Sequence, residues 1–277
     1  MNLRKIYPKR DKWTHKGRQG YVLIISGSKK YSGSPAFNAI ACLRAGADLA
    51  VIMGPRRSMD IAASFLPDII TFPLQGDCLR KKHLSYIFRV VESKKFNSLV
   101  LGCGLGRDEQ TMFCIREIIA NVNLPMVIDA DAIYALRKQR EIVYGKRVIL
   151  TPHSKEFEVL TGEKVKNDVK DRKMKVKKWA KELNCVILLK GYIDVISDGQ
   201  KVIFNKTGSP FMTKGGFGDT LSGILGALLA KDISLLQAAQ AAAFINGRAG
   251  ELAANSYGES VLASDIFEFI PRVIKSL

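Results

Sequence analysis

Glycines at 215, 216 and 218, with Asp219 directly after them and the helical apolar set Leu221, Ile224, Leu225 and Leu228 behind, form the most chemically pointed stretch of the chain. Glycines ahead of a helix let unpaired backbone N–H groups converge where the macrodipole is positive, which suits a phosphate in transfer. A carboxylate beside that phosphate can take the proton from an attacking hydroxyl. Asp219 could instead be a plain N-cap, but a cap does not need three preceding glycines, which cost backbone entropy unless they are used. The segment therefore predicts phosphoryl transfer to a hydroxyl, without naming the acceptor.

Other polar segments follow apolar runs. Ser26-Gly27-Ser28 and Tyr31 to Pro35 precede a helical stretch, either as a close-approach loop or as a flexible N-cap. Gly102-Cys103-Gly104-Leu105-Gly106 brings its third glycine one residue too early for a dinucleotide fingerprint, yet three alternating glycines imply a backbone pressed against a ligand or a tight turn. Asp129-Ala130-Asp131, Thr151-Pro152-His153-Ser154-Lys155-Glu156 and Lys190-Gly191 complete the set. Asp131 and Ser154 read well as helix caps, whereas His153 stands at the sheet's functional edge.

The elements that must position these groups are short, continuous apolar runs: 21–25, 49–53, 98–101, 126–128, 148–150 and 186–189. Continuous apolarity marks strands buried on both faces, and intervening helical patterns mark parallel crossovers. The expected fold is α/β, a mostly parallel central sheet between helical layers. Asp194 to Ile196 and Lys201 to Phe204 flank Ser197-Asp198-Gly199-Gln200 as a late hairpin, and the chain is helical beyond Gly218. Residues 54–97, broken by Pro55, Pro67 and Pro73, stay ambiguous. With no repeat or linker, residues 1–277 read as a single domain.

The formal net charge is +17, of which residues 1–18 and 163–182 carry +11. The second stretch places Val169, Val176, Trp179, Ala180 and Leu183 near helical spacing, so it reads as an amphipathic helix with a solvated lysine face; no aromatic platform for nucleic acid accompanies it. The five scattered cysteines show no C-x-x-C spacing, which argues against a zinc site or disulfide framework and for a reducing cytoplasm. No signal peptide and no uncharged run of about 18 residues suggests secretion or membrane spanning.

The sequence resembles the ribokinase-like superfamily through Gly216-Phe217-Gly218-Asp219, and within it the ADP/ATP-dependent NAD(P)H-hydrate dehydratases. The ordered set His15-Lys16-Gly17, Gly27-Ser28, Gly102 to Gly106, Asp129-Ala130-Asp131, Thr151-Pro152-His153, Lys190-Gly191, Thr207 to Pro210, Gly215 to Asp219 and Leu262 to Asp265 carries the likeness over residues 15–271. The resemblance implies a metabolite-repair lyase that dehydrates (S)-NADHX or NADPHX to NADH or NADPH at the expense of ADP or ATP, with Mg²⁺. It implies Asp219 as base with the amides of Gly216, Phe217 and Gly218 as anion hole. It also implies Ser34, Pro35, Gly104, Gly106, His153 and Asp219 on the hydrate, and Lys190, Gly191, Tyr192, Ile193, Asp194 and Gly218 on the nucleotide. No protein metal ligand is implied, and a homo-oligomer, such as a tetramer, is. Against the family pattern, Ser34-Pro35 replaces two alanines, Cys103 a proline, Phe217 a Ser or Thr, Asp194 a Thr and Asn246 a His. The separate epimerase domain of some relatives has no room in 277 residues. The competing readings are a vitamin-precursor kinase of the same superfamily and, from the charge alone, a nucleic-acid-binding protein.

Overall fold

The computed structural model describes residues 3–231 and 233–276; Met1, Asn2, Asp232 and Leu277 of the expected domain lie outside them. Among the described residues nine strands form one sheet: β1 (Tyr21–Ile25), β2 (Leu49–Pro55), β3 (Ile70–Leu74), β4 (Ser98–Leu101), β5 (Met126–Ile128), β6 (Val148–Leu150), β7 (Val186–Leu189), β8 (Asp194–Ser197) and β9 (Val202–Asn205). The α-helices are α1 (Ser34–Arg44), α2 (Arg56–Phe65), α3 (Leu84–Ser93), α4 (Glu109–Asn121), α5 (Asp131–Ala135), α6 (Ser154–Thr161), α7 (Val169–Glu182), α8 (Phe217–Leu229), α9 (Leu235–Tyr257) and α10 (Ile266–Lys275).

The strand order is β3-β2-β1-β4-β5-β6-β7-β8-β9, parallel through β7 and antiparallel for the β8–β9 hairpin. The chain builds outward from β1 to β3, then restarts on the other side of β1 with β4. The loops leaving β1 and β4 therefore diverge, and such a switch point opens a crevice at the carboxyl edge.

Alternation along the strands divides the core. Val22, Ile24, Ile52, Val100 and Val127 face α1, α2, α8, α9 and α10, while Leu23, Ile25, Val51, Leu99 and Leu101 face α3 to α7. Both sheet faces are covered, which is why these strands read as unbroken apolar runs.

Two expectations need correction. The ambiguous 54–97 stretch hides the half-exposed strand β3, in which Pro73 is tolerated because β3 is an edge strand bonded only to β2. The basic amphipathic helix starts at Val169, not 163: the Asp168 carboxylate caps it by accepting from the Asp171 N–H, and Val169 is exposed.

Candidate active site

The N-cap of α8 is Gly216, at φ +103° and without a side-chain cap. A Cβ there would crowd Ala263 at 2.8 Å and Phe37 at 3.1 Å, so conformation and packing both require glycine. Asp219 lies inside the first turn, which removes the plain-cap reading and leaves its carboxyl for other work. The first-turn amides have no intrahelical acceptor. Asn246 of α9 braces this turn: its Oδ1 lies 2.9 Å from the Thr220 hydroxyl, and its Nδ2 donates to the Phe217 carbonyl at 3.4 Å.

A carboxylate oxygen of Asp219 lies within 4.8 Å of Cys103 Sγ and of the Asp129 carboxylate, and the thiol donates to Asp129 Oδ2 at 3.7 Å. Burial, then the charge of Asp129, push the Asp219 pKa up to about 6 against the opposing effects of Ser34, Cys103 and Lys190. Asp129 is buried too, which alone would raise it, but Lys190 Nζ at 2.8 Å and Ser222 Oγ at 2.8 Å hold it below the usual carboxylate range. Burial opposes the Lys190 ammonium, and Asp129 with Glu156, 3.7 Å away, more than offset this and raise its pKa. One carboxylate is thus locked in its ionised form beside another poised near neutrality, the arrangement that separates an electrostatic role from a base.

Asn38 of α1 ties the ends of β1 and β4 to the first turn of α8. Its Nδ2 donates to the Asp219 carbonyl at 2.8 Å, and its Oδ1 lies 2.9 Å from Ser26 Oγ, which in turn is 2.7 Å from the Cys103 carbonyl oxygen. Arg172 of α7 donates to the Lys190 carbonyl at 2.8 Å and fixes the end of β7. Sequence reasoning missed Asn38, Arg172, Ser222 and the Asp129–Lys190 pair. The available signal was a lone polar residue on an apolar helix face, as with Asn38 among Ala36, Ala39 and Ala41.

Two cavities flank this cluster. One, of about 620 Å³, is lined by Ser28, Lys29, Lys30, Tyr31, Leu105, Gly106, Arg107 and Asp131, with Asp77 and Cys78. The other, of about 490 Å³, lies between the ends of β7 to β9 and the starts of α8 and α9, lined by Lys190, Gly191, Tyr192, Asp194, Lys206 to Pro210, Phe217, Gly218, Asn246 and their neighbours. Gly218 faces the second cavity, with Lys190 Nζ 3.6 Å from where a Cβ would be. Towards the first, Ser34 Oγ lies 2.8 Å from the Cβ position of Gly104, which also abuts Tyr31 of the lining. Asp219 follows Gly218 in the chain and is in the lining of neither cavity.

The expected site residues divide. Gly106 lines the first cavity; Lys190, Gly191, Tyr192, Asp194, Phe217 and Gly218 line the second, and Ile193 does not. Ser34, Gly104 and Asp219 are in neither lining. Pro35 is buried under Gly27, whose Cβ position is 2.6 Å from its ring. His153 is exposed and is itself the N-cap of α6: its Nδ1 accepts from the Lys155 and Glu156 N–H groups at 3.1 and 3.2 Å. Ser154 is therefore not the cap. Neither is Asp131, which clamps the β4 loop by accepting from the Gly106 N–H at 2.8 Å and Arg107 Nε at 2.6 Å.

Cys103, Asp129 and Asp219 bring one sulfur and two carboxylate oxygens within 4.8 Å of one another. A thiol, and a carboxylate already paired with Lys190, do not suit Mg²⁺, which prefers six hard oxygen ligands.

A family model described as NAD(P)H-hydrate dehydratase matches residues 22–272. The chain belongs to that family. It is 46% identical over 262 residues to the bifunctional NAD(P)H-hydrate repair enzyme of Pyrobaculum aerophilum, covering 94% of this chain and 51% of that protein. It is 36% identical to the ADP-dependent (S)-NAD(P)H-hydrate dehydratase of Cenarchaeum symbiosum, covering 99% of this chain and 95% of that protein. The chain thus spans about half the length of the bifunctional relatives and nearly all of the shorter one. The ADP/ATP-dependent NAD(P)H-hydrate dehydratase of Bacillus subtilis, co-crystallised with ATP and Mg²⁺, is similar with a TM-score of 0.84 at 28% identity, over 99% of this chain and 95% of that one. The fold is ribokinase-like; hydroxyethylthiazole kinase of Pyrococcus horikoshii, at TM-score 0.66 and 19% identity, shares the fold alone.

Proposed function

We propose that this NAD(P)H-hydrate dehydratase family member dehydrates (S)-NADHX or NADPHX to NADH or NADPH with ADP or ATP as co-substrate, as a hydro-lyase of metabolite repair. The observation that carries the reading is Asp219, in the first turn of α8 directly after Gly218 of the second cavity and raised to about 6 by burial and the charge of Asp129. The hydrate would take the Gly106 side, next to Ser34 and Gly104, and the nucleotide the side of Lys190, Gly191, Tyr192, Asp194 and Gly218. Pro35 and Ile193 would act as packing beneath these walls, and His153 as the cap that orients Glu156 towards Lys190.

Asp219 takes the proton of the ring hydroxyl as its oxygen attacks the terminal phosphorus of the nucleotide. The bond from that phosphorus to its bridging oxygen breaks, and the amides of Gly216, Phe217 and Gly218 hold the transferring group. The ring carbon–oxygen bond then breaks with its electron pair leaving on phosphate, and loss of a proton from the adjacent carbon restores the ring double bond. Phosphorylation thus replaces hydroxide by a better leaving group. Mg²⁺, carried in by the nucleotide phosphates, would neutralise charge on them.

The remaining parts of the proposal are a single domain over residues 1–277, a homo-oligomer of which a tetramer is the expected size, and a cytoplasmic setting. All five cysteines are free, which suits a reducing compartment, and no helix among the described residues is long and apolar enough to cross a membrane. The test is incubation with NADHX and ADP or ATP while following NADH absorbance. Recovery of absorbance is expected; no recovery, together with phosphorylation of a small vitamin-precursor alcohol, would assign the chain to the kinase alternative.

A further inference from the structure

Cys103 Sγ lies within 4.8 Å of a carboxylate oxygen of both Asp129 and Asp219. The side chain is fully buried. Asn38 Nδ2 donates to its Sγ at 3.4 Å from one side; on the other lie Asp129 Oδ2 at 3.7 Å and the Asp219 carboxyl. With the Asn38 side occupied by a donor, the one hydrogen on sulfur is left to the carboxylates, and it can serve only one at a time.

We propose that Cys103 is a positioning residue for the base: its S–H donates to Asp219 while that carboxylate is ionised, and turns to Asp129 once Asp219 has taken the proton of the substrate hydroxyl. The kinetic part rests on the dehydratase reading. No proton leaves the thiol; only the acceptor of its hydrogen bond changes. Burial, then Asp219 and Asp129, push the thiol well above its ordinary range, so it stays a donor. The groups facing Asp219 are Ser34 from α1, Cys103 after β4, Asp129 after β5 and Lys190 after β7, with Glu156 of α6 reached through Lys190. Of these, Cys103 alone touches both carboxylates with a movable hydrogen.

The test compares Cys103→Ala, which removes the donor, with Cys103→Ser, which keeps one. Cys103→Ala is expected to lower kcat about three- to tenfold with little change in nucleotide KM, and to move the acid limb of the kcat/KM profile to higher pH; Cys103→Ser restores both. An unmoved limb in Cys103→Ala, or a loss that Cys103→Ser does not restore, overturns the proposal. A second measurement needs no substrate. The infrared S–H stretching band of Cys103, taken as the wild-type minus Cys103→Ser difference, should shift as pH passes through about 6, and should stay constant in Asp219→Asn. A wild-type band indifferent to pH contradicts the thiol's role even if the enzyme turns over. Wild-type protein that leaves NADHX untouched overturns the dehydratase reading, while the infrared result still decides the thiol.

Discussion

The two glycine-rich segments at the carboxyl edge look alike in sequence and are used differently. In the β4 loop the glycines are mostly there to let chains touch: a Cβ on Gly102, at φ +129°, would overlap the Asp129 carbonyl, and one on Gly104 would lie 2.7 Å from Tyr31. Only Gly106 has open space around it, and its N–H is already held by Asp131. At the start of α8, Gly216 is fixed by packing and by its left-handed backbone, while Gly215 and Gly218 are uncrowded and Gly218 lines a cavity. A run of glycines therefore marks a ligand site only where the missing side chain leaves space rather than contact. The first segment shapes a wall; the second leaves amides for an anion.

That contrast can be broken experimentally. Asp219→Asn removes the base from the junction of the two segments and should cut turnover about 10²- to 10⁴-fold, leaving nucleotide affinity within about twofold, as steady-state kinetics and calorimetry would show. Gly102→Ala should cost roughly 3 kcal/mol or more of stability, from strain and overlap together, read as a lower thermal midpoint. Gly218→Ala should fold normally and place its methyl in the second cavity, weakening nucleotide binding about tenfold, or about 1.4 kcal/mol, without changing hydrate affinity. If Gly218→Ala instead destabilises the fold and spares binding, the two segments do not differ as described.

Smaller effects sharpen the same picture. A base must be ionised to act, and Asp219 is raised to about 6, so kcat/KM should be half lost near pH 6 and fall about tenfold per unit below it. A limb near the ordinary carboxylate range would mean that burial and Asp129 do not act on Asp219 as described. Gly106→Ala, at φ +93° with room for a methyl, should cost only about 1 kcal/mol in stability and raise hydrate KM a few-fold, leaving nucleotide affinity untouched.

The strands of the switch point were legible because burial on both faces leaves continuous apolar runs, and the start of α8 because its glycines stand out beside a carboxylate. β3 was not, since a half-exposed edge strand with a proline lacks both signals. The electrostatics of the site were not legible either. Cys103, Asp129, Lys190 and Asp219 meet only because the sheet order places the ends of β4, β5 and β7 next to α8, and no local pattern encodes that order. Asp131 shows the reverse error, since a plausible cap secures a loop, and the capping of α6 by the His153 ring was not foreseen. The charge of +17 proved least informative, because neither basic stretch lines either of the two large cavities.

Nucleotide and hydrate are expected to approach Asp219 from opposite sides. A crystal structure with ADP and the stable product NADH bound together tests this most directly. The terminal phosphate of ADP is expected on the amides of Gly216 to Gly218 and the nicotinamide ring beside Gly106 and Ser34, with Asp219 between them. Both ligands in one cavity, or a phosphate held away from the start of α8, would contradict it.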